Sequence, residues 1–374
     1  MDFNSRHKVL PSKPGPSAAD AAIALVRRAA EANIANPWRR GAVIELDAQG
    51  DCLVAGDLHG NLVNFQRLVA IANLPRFPER HLVIQELVHE VDKIVSDLCL
   101  SYRLVEMAAR LKVTFGDRVH IIMGNHEFAE MLDFGIAKNR RPLNEAFDAG
   151  LERAYGAAWP RLKEAYKEFW RSLPLAVRSR NGLFICHSAP SRHHLPEIDL
   201  EYLHNLEPGA GFDRQSPVYH LLWDRDYAEE TATAFARKMQ ARWLILAHTP
   251  CKDGHGMPNS RTLVLDSKDA AGCYALLPLR GTLTARQLRG AVHRIYPEKG
   301  AAPTVAAHGA AASGAQPVKD HRRSLRTSVR LCSDVERPET ATGKPAAQEH
   351  VPAVHHRLTP AKTGKKGKRR KAGK

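Results

Sequence analysis

A chain of 374 residues that is 44% hydrophobic is long enough to bury the core of one large domain. Its net charge of +15 is lopsided: residues 301–374 hold 16 Lys and Arg against 5 Asp and Glu, which leaves only +4 on the other 300. The body is therefore near neutral and the tail basic. The opening Met1-Asp2-Phe3-Asn4-Ser5 leads into no long apolar stretch, which argues against a signal peptide or a membrane span.

Apolar positions at Ala22, Leu25, Val26, Ala29 and Ala30 predict an amphipathic helix from Ala18 to Asn36. Ala42–Leu46 and Cys52–Val54 flank Asp47-Ala48-Gln49-Gly50-Asp51, which reads as a hairpin. Leu62 to Ala72 reads as a helix, His81–Ile84 as a strand. Val91 to Lys112 reads as a third helix, with apolar Val91, Ile94, Val95, Leu98 and Tyr102. Phe128 to Trp170 has few strand signals and is expected to be a helical insertion. Strands alternating with helices, then a strand-rich second half, suit an α/β fold of two mixed sheets with helices outside.

Four of the apolar runs end in a histidine. His59 lies in Gly56-Asp57-Leu58-His59-Gly60 after Cys52–Ala55, and His126 in Gly124-Asn125-His126-Glu127 after Val119–Met123. His187 follows Leu183–Cys186, and His248 follows Trp243–Ala247. Loops at strand ends are where open sheets place ligands, so four such loops can converge on one point. Most of the 19 histidines must be ordinary, and a lone His after a strand is usually structural. Asp-x-His is a stronger signal, because two ligands one residue apart can chelate an ion from one side. In Gly-Asn-His-Glu the glycine is expected to let the strand turn tightly, Asn offers a carbonyl oxygen, and His can point elsewhere. Imidazole, carboxylate and amide donors together suit borderline divalent metals: Mn2+ first, with Fe or Zn as alternatives. No phosphate-cradling glycine loop or dinucleotide fingerprint is present, so a nucleotide cofactor is not expected.

Cys52, Cys99, Cys186, Cys251, Cys273 and Cys332 show no paired spacing, and all but Cys332 fall in or near expected core segments. A reducing cytoplasm fits best. The segment 301–374 lacks Phe, Tyr and Trp and ends Lys365-Lys366-Gly367-Lys368-Arg369-Arg370-Lys371, so disorder is expected. It is either a nonspecific contact for nucleic acid or another polyanion, or a solvated solubility tail.

Gly56-Asp57-Leu58-His59-Gly60, Gly124-Asn125-His126-Glu127, His187 and Ala247-His248-Thr249-Pro250 resemble the calcineurin-like metallophosphoesterases, in the serine/threonine phosphoprotein phosphatase branch. Leu221-Leu222-Trp223-Asp224-Arg225-Asp226 and Thr262–Ser267 are similar to two further blocks of that family. The resemblance spans roughly residues 42–280 and implies a four-layer αββα sandwich. It divides the chain into an N-terminal extension (1–41), a catalytic domain (42–300) and the tail (301–374).

The resemblance further implies two divalent ions, held by Asp57, His59, Asn125, His187 and His248 with Glu86 bridging. A metal-activated hydroxide would attack phosphorus, and His126 would protonate the leaving alkoxide. The family's Gly-Asp-x-x-Asp-Arg-Gly block is altered here to Gln85-Glu86-Leu87-Val88-His89-Glu90. Glu86 falls where a bridging aspartate belongs. His89 replaces an aspartate that orients the catalytic histidine, and Glu90 replaces a phosphate-gripping arginine. A carboxylate repels phosphate, so Arg225 becomes the candidate phosphate-binding cation, unless it is tied up in an ion pair with Asp224 or Asp226. Either His89 or Glu90 could orient His126.

The expected enzyme is a phosphomonoester hydrolase acting on phosphoserine or phosphothreonine in proteins. One alternative is the hydrolysis of a small phosphorylated metabolite or bis-nucleoside polyphosphate. The other is a catalytically weakened binding module with a polyanion-binding tail.

Overall fold

The computed structural model describes residues 17–90, 98–138 and 140–296. The basic tail, Cys332 and residues 91–97 of the third expected helix lie outside these. In chain order the first elements are α1 (Ala18–Ile34), β1 (Arg39–Arg40), β2 (Val43–Leu46), β3 (Asp51–Asp57), α2 (Leu62–Ala72) and β4 (Arg80–Gln85). Next come α3 (Tyr102–Phe115), β5 (Val119–Ile122), α4 (Asn125–Met131), the short pair β6 (Ala137–Lys138) and β7 (Arg141–Pro142), α5 (Leu143–Tyr155) and α6 (Trp159–Arg171). The second half holds β8 (Ala176–Ser179), β9 (Leu183–Cys186), α7 (Leu200–Asn205), α8 (Pro217–Trp223), α9 (Glu229–Lys238) and β10 (Trp243–Leu246). It closes with β11 (His255–Gly256), β12 (Thr262–Leu265), β13 (Cys273–Pro278), α10 (Ala285–Gly290) and β14 (Val292–Arg294).

The strands form a seven-stranded sheet ordered β1-β2-β8-β9-β10-β12-β11 and a five-stranded sheet ordered β14-β13-β3-β4-β5. Both are mixed. β3, β4 and β5 run parallel in one, and β9, β10 and β12 run parallel in the other.

The period-two alternation of a strand explains the layering. Cys52 and Val54 of β3 join Val177, Ile185, Ile245 and Leu263 of the other sheet in one apolar cluster between the sheets. Leu53 and Ala55, pointing the opposite way, join a second cluster with Phe65, Leu68 and Val105 from the helices. In β10, Trp243 and Ile245 face the inter-sheet cluster while Leu244 and Leu246 face the outer one. With α3 against β5 and α9 against β10, the result is the expected αββα sandwich.

The expected hairpin does not form. β2 pairs in parallel with β8 in the seven-stranded sheet, and β3 pairs with β4 and β13 in the other. Ile44 and Leu46 meet Cys52 and Val54 face to face across the sandwich. Strands buried on both faces have no solvent side to fix a hairpin, and stacking buries more apolar surface than edge pairing.

The third expected helix does not run through Leu98–Leu100 as its periodicity suggested. Leu98–Leu100 are irregular and α3 starts at Tyr102. Leu98 and Tyr102 repeat at helical spacing, but Cys99 N–H donates to Ala146 O at 2.8 Å, so this backbone is committed to α5.

α1 and α2 match their expected extents closely. Asn61 caps α2 by accepting from Asn64 N–H, and Asn73 closes it in the left-handed region at φ 42°. α1 lies across α3 and α6, and Asn33 Nδ2 donates to Ser172 Oγ at 2.9 Å. Among its described residues the insertion is mainly helical, with turns and the short strands β6 and β7. Of the described cysteines, Cys52, Cys99, Cys186 and Cys273 are buried, Cys251 is half-buried, and all are free. Among the described residues no helix is long and apolar enough to cross a membrane.

Candidate active site

The two parallel runs bring their C-terminal ends together. Asp57 ends β3, Glu86 follows β4 and Asn125 opens α4 just beyond β5. From the other sheet, His187 follows β9 and His248 follows β10 by two residues. The sheets join here: Ser267 N–H donates to Asp57 O at 3.1 Å, and Gly56 N–H donates to Ser267 Oγ at 2.9 Å. A Cβ on Gly56 would lie 2.0 Å from Leu265 O, so only glycine permits this approach.

Backbone strain concentrates at the same place. His59, Glu86, His89 and His248 have φ between 43° and 65°. These are four of the eight non-glycine residues with positive φ among those described. Such conformations persist where surrounding structure over-determines them, and they cluster at functional sites.

Each imidazole facing the centre has its tautomer fixed from behind. A carbonyl oxygen can only accept, so His59 Nδ1–H donates to Val88 O at 3.2 Å, and His248 Nε2–H donates to Trp223 O at 3.2 Å. Gln85 spends its amide N–H on Ala55 O, leaving Oε1 to accept from His187 Nδ1–H at 3.1 Å. The opposite nitrogens therefore carry lone pairs. His187 Nε2 lies 2.9 Å from Asn125 Oδ1, 3.0 Å from Glu86 Oε2 and 3.1 Å from His248 Nδ1. Acceptors meet with no proton between them, an arrangement that a cation at their centre satisfies. Glu86 Oε2 is also buried without a hydrogen-bond donor. The donor set thus fits the divalent metal that this kind of site requires.

Glu86 belongs to two ligand groups. Asp57, Glu86 and His187 have ligand atoms within 4.8 Å of one another, and so do His59, Glu86 and His126. Its Oε1 accepts from the His126 N–H at 3.0 Å, in the first turn of α4 where backbone donors are free. A Cβ on Gly124 would lie 2.2 Å from Glu86 Oε2 and 2.7 Å from Glu127 Oε2. With φ at −100°, Gly124 is therefore needed for the passing carboxylates, not for the expected tight turn.

The electrostatics follow from burial. It pushes Asp57 up to about 7 against the pull of His187, and Glu86 up to about 8 against the amides of His126 and Asn125. It lowers His59 to about 3 and His248 to about 2, and holds His126 well below its ordinary value. Neutral imidazoles are the form that can ligate a divalent ion, and such an ion would return the raised carboxyls to their charged form.

His126 Nδ1 does not serve the centre. It lies 2.8 Å from His89 Nδ1, while His89 Nε2–H donates to Glu130 Oε1 at 2.8 Å. Glu130 can only accept, which makes His89 Nδ1 the acceptor and His126 Nδ1–H the donor. His126 Nε2 is left free. Lys163 balances Glu130 at 3.4 Å.

Of the two candidates for orienting His126, the geometry selects His89. Glu90 instead accepts from Leu100 N–H at 2.5 Å. Arg225 is exposed, its Nη2 donating to His248 O at 3.4 Å. Asp224 and Asp226 are taken by Ser191 N–H and Arg192 N–H, both at 2.9 Å, and no ion pair joins either to Arg225 among the described residues. Sequence reasoning missed Gln85, Glu127 and Glu130. Glu127 Oε1 accepts from the Leu87 and Val88 amides at 2.6 and 3.0 Å and so shapes the loop carrying Glu86. Its signal was the glutamate of Gly-Asn-His-Glu.

Donors from the edges of two stacked sheets, converging on a metal-competent centre, define a metallophosphoesterase-type sandwich. The family model for calcineurin-like phosphoesterases matches residues 52–272, and the chain belongs to that family of divalent-metal-dependent phosphoester hydrolases. Among solved structures, a protein serine/threonine phosphatase from Saccharomyces cerevisiae aligns at 17% identity with a TM-score of 0.55, covering 71% of this chain and 85% of that one. A cold-active protein-tyrosine phosphatase from Shewanella aligns at 16% identity with a TM-score of 0.42, covering 66% of this chain and 78% of that one. No curated protein matches.

Proposed function

We infer that the chain is a phosphomonoester hydrolase with a binuclear divalent-metal site, acting on phosphoserine or phosphothreonine in proteins. The carrying observation is that Glu86 belongs to both ligand groups while His187 Nε2 and His248 Nδ1 face each other as lone pairs. Asp57 and His59 would hold one ion and Asn125, His187 and His248 the other, with Glu86 between them. When bound, such ions supply an activated water and neutralise phosphate charge.

The rest is the work of this chain's own groups. Burial disfavours a charged His126, so its Nε2 must first take a proton from solvent, helped by the Glu130 carboxylate behind His89. It then offers that proton to the departing oxygen while its Nδ1–H stays fixed on His89. An alkoxide leaving from serine or threonine is a strong base, so this proton matters most for that substrate class. The Arg225 guanidinium stands at the mouth and can grip phosphate oxygens, the role that Glu90 cannot fill.

The test is phosphate release by the Mn2+-loaded protein from a phosphoserine peptide, a bis-nucleoside polyphosphate and a generic aryl phosphate. Peptide turnover supports the reading. Turnover of the small esters alone assigns the metabolite alternative, and no turnover of any of them rejects an enzyme in favour of a binding module.

A further inference from the structure

A second cluster of metal-type donors lies beside the site and is not used by it. His194, His220 and Asp224 have ligand atoms within 4.8 Å of one another. His194 Nδ1 is 3.0 Å from Asp224 Oδ2, and His220 Nδ1 is 3.3 Å from Asp224 Oδ1. Both rings thus turn the same nitrogen toward one carboxylate. They stack with centroids 3.2 Å apart and planes inclined by 18°. Aromatic pairs prefer centroids about 4.5–7 Å apart, so ring attraction does not account for this spacing.

Burial would raise the Asp224 carboxyl, but the Ser191 N–H and the two imidazoles outweigh it and hold it below its ordinary value. Side-chain exposures of 26% for His194, 16% for His220 and 19% for Asp224 leave a path from solvent. Two imidazoles and one carboxylate, partly open to solvent, form the three-ligand set suited to zinc.

We propose that His194, His220 and Asp224 form a third metal site, selective for zinc-type ions and separate from the binuclear centre. Its position gives it leverage. Ser188, next to His187, donates its hydroxyl to Asp224 O, the Trp223 carbonyl holds His248, and Arg225 follows directly. An ion here clamps the end of α8 and with it the segment that presents Arg225; that consequence rests on the role given to Arg225 above.

The test is zinc stoichiometry of the full chain after chelator stripping. The double variants H194A/H220A and H194N/H220N should each bind one equivalent fewer than wild type, and this difference cancels any zinc held by histidines elsewhere. A pocket variant, E86Q/H248N, should retain the third-site equivalent. In wild-type protein, zinc should protect His194 and His220 from acylation by diethyl pyrocarbonate, read by mass spectrometry. Equal stoichiometry in wild type and the double variants, or unprotected histidines, overturns the proposal. If E86Q/H248N binds as much zinc as wild type, the binuclear reading fails while the third site stands.

Discussion

His89 Nδ1 and His126 Nδ1 lie 2.8 Å apart, and the carboxylate of Glu130 behind His89 decides which of them carries the proton. Glu130→Gln removes the charge that favours a protonated His126. Turnover of an alkyl phosphate should fall about 10–100-fold with metal content unchanged. The alkaline limb of the rate profile should move to lower pH, because the acid form of His126 is less favoured. An unmoved limb would reduce Glu130 to a structural role.

Glu86→Gln should weaken metal binding at both ions, since a neutral amide bridges two cations poorly. Metal analysis after purification without chelator should find about two transition ions in the binuclear centre of the wild-type chain, beyond any held by His194, His220 and Asp224, and fewer in the variant. Full metal content with full activity would show that Glu86 bridges nothing.

His126→Asn should keep the metal while slowing alkyl phosphate hydrolysis by about 10²–10⁴-fold. Aryl phosphates, whose leaving group needs less protonation, should lose less. Equal losses on both substrates would place His126 in ligation or in structure.

The metal-free protein should also respond to pH. Asp57 and Glu86 rise from 3.8 and 4.5 to about 7 and about 8 in the folded chain. A carboxyl raised on folding stabilises at low pH, and that contribution is lost as pH climbs to the folded value. His59 and His248, lowered from 6.5, act the other way but only below 6.5. Between pH 6.5 and about 8 the two carboxyls act with buried Glu127, itself raised to about 8, and the two histidines no longer oppose them. In chelator the melting temperature should therefore fall across this window, and added Mn2+ should reduce the fall. A flat profile in chelator would contradict the buried-carboxyl account.

The basic tail is a separate question. Removing residues 301–374 should leave small-ester hydrolysis intact, because every proposed ligand precedes them. If the tail contacts polyanions, the intact chain should bind them with steep salt dependence that truncation flattens. Unchanged polyanion binding after truncation would dismiss that role.

The four histidine loops were legible because each packs a donor and a strand end into a few consecutive residues, two of them with glycines beside the donor. Long-range relations were not. Nothing local in Ala42–Val54 told a hairpin from two strands stacked across a sandwich, since both runs are apolar except for Glu45. His89 meets Glu130 across 41 residues, and His194 meets Asp224 across 30. Their pairing depends on where α4 and α8 dock, which no periodicity encodes. Glu130 reads from sequence as an ordinary helix glutamate, yet it is fully buried.

Asp57, Glu86 and Asn125 hang from one sheet while His187 and His248 hang from the other, so the apolar layer between the sheets acts as a spacer for the chemistry. Ile245 sits in that layer, three residues before His248, and Val83 sits three before Glu86. Trimming either to alanine would cost stability, about 2–5 kcal/mol for the isoleucine. It would also let the two halves settle closer and change the distance between donors that never touch the altered side chain. Residues in the dry middle of the sandwich thereby become a means of tuning metal preference in this scaffold without replacing a single ligand.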